Sequence, residues 1–198
     1  QGVFNATYHH LEIDNNTGTA TAASALGVEG NLTITTGKLT LDNIALTLGG
    51  DFVLTSGEFV PGSSNLHTVS GDWNDAGGTF DGTPGSTGKF TFNGAGSTIT
   101  TDAAGGNKFF NLTSAGNPIN AGSDLDIDGD FALTAGSFDP ATFSHDVNGN
   151  WDGSGGIFQA TNGTITLSGG ATKTIKTNIN NKFNNLTIDG TIETSSAN

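Results

Sequence analysis

Apolar and polar residues alternate along short stretches of the chain. In GDFVLTSGEF (50–59), Phe52 and Leu54 fall on one side of an extended backbone and Asp51, Val53 and Thr55 on the other. Phe59 returns to the first side after the Ser56-Gly57 bend. The same reading gives inward sets at Leu32, Ile34 and Leu39, at Trp73 and Phe80, at Phe131, Leu133 and Phe138, and at Trp151 and Phe158. No stretch shows a sustained helical period. The pattern predicts short strands separated by tight bends, with Gly57 and Gly136 the best examples of glycines expected at positive φ, where a side chain would clash.

These stretches recur in order. GDFVLTSGEF at 50 returns as GDFALTAGSF at 129, and HTVSGDWNDAGGTF at 67 returns as HDVNGNWDGSGGIF at 145. KFTFNGAGSTIT at 89 resembles TITLSGGATKTIK at 164, and NKFFNLT at 107 returns as NKFNNLT at 181. YHHLEID at 8 aligns with FNNLTID at 183. One module therefore covers 1–108 and carries an extra segment around 30–49; a second covers 109–182; residues 183–198 open a third or serve as an assembly strand. Inside the modules, Gly30, Gly50 and Gly71, and again Gly129 and Gly149, each open a Gly–Asn/Asp–apolar segment at intervals of 20 or 21 residues. About twenty residues suit one turn of a solenoid. The expected fold is all-β, a parallel β-solenoid (β-helix). Tandem antiparallel β-sandwich modules, for which Asn-Gly turns would be apt, are the alternative.

Composition narrows the partners. Six Lys, no Arg and 19 acidic residues give a net charge of −13, which disfavours nucleic acid and anionic membranes. No apolar run reaches the length of a membrane span. Cys and Met are absent, so there is no disulfide or thiolate metal site; a chain without these oxidisable side chains suits long exposure outside a cell. Sequons at Asn5, Asn15, Asn31, Asn111, Asn162 and Asn185 are candidate glycosylation sites.

Little else reads as chemistry. DLDIDGD (124–130) is dense in acid but lacks the ligand spacing of a calcium loop; it reads as a strand with Leu125 and Ile127 inward, able at most to trap an adventitious Ca²⁺, and no cofactor is expected. His67 and His145 recur with the repeat and read as turn-edge structure; His9-His10 has no converging ligands. Trp73 and Trp151 could stack on a glycan if exposed, although their register points them inward. Thr-x-Thr pairs, which suggest an ice-binding face, occur at irregular intervals. No isolated carboxylate pair or basic cluster suggests an enzyme.

The order H-x-V-x-G-[DN]-W, G-G-x-F, [FI]-T-[FL]-x-G, F-x-N-L-x-I resembles the β-strand repeats of very large bacterial cell-surface adhesins. It is carried by His67–Trp73, Gly77–Phe80, Phe90–Gly94 and Phe109–Leu112, and again by His145–Trp151, Gly155–Phe158, Ile165–Gly169 and Phe183–Ile188; Thr113-Ser114 departs from the final Ile. The resemblance implies an extracellular, cell-surface location and adhesive or scaffold duty, without catalytic residues. Neither end reads as a cap, and the chain begins and stops at the aromatic–x–x–Leu strand. The expected function is an extracellular structural protein that forms or extends a cell-surface fibre. Its partner would be itself, as a head-to-tail homopolymer or as adjacent repeats of a longer chain. The alternative is an adhesin stalk that binds surface glycans.

Overall fold

The computed structural model describes residues 2–3, 6–62, 66–80, 88–116 and 118–196. Every strand pair among them is parallel, and partners lie about twenty residues apart: Leu32 faces Phe52, Phe52 faces Trp73, and Phe131 faces Trp151. This is the β-solenoid, with about nine turns. An antiparallel sandwich is excluded.

Each full coil crosses three faces in a fixed order. Face one carries the first part of Leu11–Ala22 and of Leu32–Thr40, then Phe52–Leu54, Trp73–Asn74, Ser97–Thr100, Ile119–Ala121 and Phe138–Asp139. Face two carries the later parts of those two long strands, then Glu58–Val60, Thr79–Phe80, the Lys108-Phe109 segment, Asp126–Ile127, Ser144–Val147, Thr164–Leu167 and Asn185–Ile188. Face three is one ten-stranded sheet from Thr7–Tyr8 to Ile192–Ser196, through Leu66–Val69, Lys89–Phe92, Asn111–Ser114, Phe131–Leu133 and Trp151–Asp152.

The inward residues expected from the alternation are all buried, from Leu32 and Ile34 to Trp151 and Phe158. Aromatic rings stack along the axis. Phe52 lies 3.9 Å from Trp73 and Phe131 lies 4.3 Å from Trp151, centroid to centroid and nearly parallel. Fully burying one such side chain contributes roughly 1.5–3 kcal/mol.

The two modules use different faces. GDF of 50–52 leads onto face one, whereas GDF of 129–131 leads onto face three. His67 belongs to face three and His145 to face two; Glu58–Val60 belongs to face two and its counterpart Phe138–Asp139 to face one. Counting strand positions from Phe52–Leu54 to Phe131–Leu133 gives eleven, which is three whole coils and two faces. The second module therefore repeats the first turned back by one face. From Leu11 on face one to Leu112 on face three there are fourteen positions, three more than eleven. The extra segment at 30–49 is one complete coil, so it lengthens the first module without altering the rotation.

Corners are held by glycine against glycine. The amide of Gly50 donates to the carbonyl of Gly30 at 3.0 Å, Gly71 to Gly50 at 3.1 Å, and Gly149 to Gly129 at 2.8 Å. A Cβ at Gly71 would lie 2.3 Å from the carbonyl carbon and oxygen of Gly50, and one at Gly149 would meet Gly129 at the same distance. Backbone cannot retreat without breaking the next hydrogen bond. Gly71→Ala and Gly149→Ala should each cost about 2–3 kcal/mol in a denaturant titration. Gly27→Ala, whose Cβ would come no nearer than 3.5 Å to any neighbour, the Thr7 hydroxyl, should change stability by about 0.5 kcal/mol or less.

Candidate functional site

The residue after each corner glycine is Asn or Asp because its short side chain reaches the amide of the coil above. Asp51 donates its backbone N–H to Asn31 Oδ1 at 3.0 Å, Asp72 to Asp51 Oδ1 at 2.9 Å, and Thr98 to Asp72 Oδ1 at 2.8 Å. His10 begins this ladder, its Nδ1 accepting from Asn31 N–H at 2.9 Å. The second module repeats it on another face: Asp130 donates to Asn111 Oδ1, Asn150 to Asp130 Oδ1, and Thr174 to Asn150 Oδ1, at 2.8, 2.7 and 2.8 Å. The ladders border two shallow grooves at matching positions. Asp51, Asp72, Asn74, Thr98 and Thr100 line one on face one. Asp130, Asn150, Asp152, Thr174 and Lys176 line the other on face three.

The sequons fall in distinct settings. Asn31 and Asn111 spend their side-chain oxygens in the ladders. Asn15 sits on the long strand Leu11–Ala22, its Oδ1 buried. Asn162 is exposed beside Gly163, and Asn185 is exposed on Asn185–Ile188. Asn5 lies outside the described residues.

The glycan-stacking role considered for Trp73 and Trp151 is corrected. Their exposures are 0% and 1%, and each has a phenylalanine stacked on it, so neither offers a free ring face to a sugar. Trp73 is further fixed by donating Nε1–H to Asp75 Oδ2 at 2.7 Å. Asp75 is buried and also accepts from Asn107 Nδ2 at 3.0 Å and from the Asp102 amide at 3.2 Å. Burial pushes its carboxyl up, against the hydrogen bonds from Trp73 and Asn107. Gly153 takes the equivalent place in the second module, and Trp151 Nε1 has no hydrogen-bond partner among the described residues.

In the acidic run, Leu125 and Ile127 point inward as expected. Its acids do not converge. The Asp124 carboxylate accepts from Ser144 N–H at 2.8 Å, and Asp128 pairs with Lys108 at 2.8 Å. Asp126 stands opposite Asp146 on the neighbouring strand. Partial burial, followed by the charges of Asp128 and Asp146, holds the Asp126 carboxyl above its usual range. Among the described residues no three His, Asp or Glu side chains come together as a metal site.

Alignment missed a threonine file on face three, where Thr47, Thr68, Thr91 and Thr113 stand in register on successive coils. Unequal loops give them spacings of 21, 23 and 22 residues, which hides the file in the sequence.

The C-terminal coil differs from those beneath it. Leu186 and Ile188 point inward in register with Ile165 and Leu167. Ile165 and Leu167 are 2% and 0% exposed; Leu186 and Ile188 are 36% and 43% exposed because no described coil covers them. Phe183 and Ile192 complete this apolar end, only partly buried.

His67 and His145 are inside the wall. Nδ1 of His67 accepts from Leu46 N–H at 3.2 Å, and Nδ1 of His145 accepts from Leu125 N–H at 3.1 Å. Burial lowers the His67 pKa to about 4 and that of His145 in the same direction. Unfolded histidine takes up its proton near pH 6.5, so between there and about pH 4 the unfolded chain binds more protons. Stability present above pH 6.5 is therefore lost as pH falls, by about 3 kcal/mol at His67. Asp75, with a raised pKa, acts in the opposite sense just above its ordinary 3.8. Denaturant midpoints should drop between pH 7 and 4.5, and His67→Gln, which keeps an acceptor for Leu46, should remove roughly half of that drop. Comparison of the chain with known protein families, curated proteins and solved structures finds no match.

Proposed function

We propose that this protein is a non-catalytic structural repeat of an extracellular, cell-surface fibre, lengthened by stacking a further coil of the same kind on its C-terminal end. The observation that carries the reading is the uncovered apolar end at Leu186 and Ile188, beside backbone edges that pair on one side only among the described residues. Parallel edge strands with an apolar centre are completed by another parallel coil, in a longer chain or from a second copy. The buried histidines, tryptophans and Asp75 all serve the wall or the core. The absence of oxidisable Cys and Met accords with long exposure outside a cell.

A second reading rests on the paired grooves, whose carboxylates, amides and hydroxyls suit a polyhydroxylated ligand. It keeps the adhesin stalk in view, with Asp72 and Asp152 replacing the tryptophans as contact residues.

Electron microscopy and sedimentation of the purified chain separate the two. End-to-end rods that shorten to single rods in Leu186→Asp/Ile188→Asp, with unchanged circular dichroism, are expected for the fibre. Single rods at all concentrations would contradict self-assembly. Glycan binding by those single rods, lost in Asp72→Ala/Asp152→Ala, would establish the adhesin instead.

A further inference from the structure

The rule by which one unit follows another is visible inside the chain. The strand that opens a unit appears three times, with Leu11, Leu112 and Leu186 as its inward leucines. Leu11 lies on face one, Leu112 on face three and Leu186 on face two. Each step is backward by one face. The first takes fourteen strand positions and the second eleven, counting the bridged segments at Lys108-Phe109, at 157–159 and at Lys182, the last two on face one, yet both leave the same remainder after whole coils are removed.

The rotation is accommodated because the aromatic core repeats on the turned faces. Phe52, Phe59, Trp73 and Phe80 form a cluster with centroid separations of 5.1 Å (Phe52–Phe59), 3.9 Å (Phe52–Trp73) and 5.9 Å (Phe59–Phe80). Phe131, Phe138, Trp151 and Phe158 repeat it at 5.1, 4.3 and 6.2 Å. The corner ladders are likewise built twice on different faces. The polar grooves follow, one on face one and its counterpart on face three.

Resting on the fibre reading above, we propose that the partner seated on the C-terminal end is another copy of the same unit, turned back by one more face about the axis. Units then climb as a threefold screw. Three eleven-strand units make eleven coils, about 53 Å at about 4.8 Å per coil, before a surface group returns to its starting face. The groove chemistry is thereby shown on all three sides of the fibre, so a ligand meets equivalent sites around the axis rather than along one face.

The test is the full chain with a second copy of 109–182 inserted after Lys182. In the proposed arrangement the opening strand of the inserted copy takes the place now held by Asn185–Ile188, over Thr164–Leu167 on face two. Its Thr113 then lies opposite Thr166, as Thr187 does now. With Thr166→Cys and the inserted Thr113→Cys as the sole cysteines, oxidation should give a near-complete intramolecular disulfide, and the maximum dimension in X-ray scattering should grow by about 18 Å. A cross-link of less than a tenth, or an inserted segment that exchanges its amides like unfolded chain, would overturn the rotation. Self-assembly is a separate matter: a cross-linked extended chain that stays monomeric would keep the rotation and sink the stacking of separate copies.

Discussion

Everything in this molecule depends on coils lying at strand distance along one axis, each backbone hydrogen-bonded to the next. That spacing admits little between corners, so glycine sits on glycine at Gly30, Gly50 and Gly71. It leaves amides beside the corner that need a short acceptor, which Asn31, Asp51 and Asp72 provide. It also brings equivalent side chains over one another, which is why Phe52 and Trp73 stack nearly face to face. Stability is then close to a sum over coils and their contacts, and the coil without a neighbour above it is the place of least support.

Much of this was legible in the residues. The alternation in GDFVLTSGEF gave the inward set correctly, and the glycine interval of about twenty gave the solenoid. The faces were not legible. Phe52 and Phe131 stand in nearly identical sequence, and alignment treats them as equivalent rungs of one ladder. They are rungs of two ladders on different faces. Local sequence fixes what a strand does, a burial pattern between two corners, but not which side of the prism it occupies; that depends on the number of strands in between. Loop lengths conceal this number, since only three residues separate Phe52–Leu54 from Glu58–Val60 but eight separate Thr79–Phe80 from Lys89–Phe92.

The candidate sites sort by the same logic. The tryptophans, which as residue types suggest sugar platforms, are buried because strand alternation turns them inward. Asp75 shows that a polar group in this core is accepted when its partners come with it, here Trp73, Asn107 and the Asp102 amide. The role of Asp75, replaced by Gly153 in the second module, was not legible in the sequence, because two of its partners, Asn107 and the Asp102 amide, come from the next coil. The large apolar side chains Leu186 and Ile188 are left uncovered among the described residues at the C-terminal end, and it is on this that the proposed structural reading rests.

The central claim is that the second module stands on faces one step back from the first. Nuclear Overhauser contacts of Ala132 in the unmodified protein test it directly. The account predicts contacts from the Ala132 backbone to Thr113 below and Asp152 above, its face-three neighbours. A contact to Asn120 of face one in place of Thr113 would contradict it; the contact to Asp152, made within the module, is common to both arrangements.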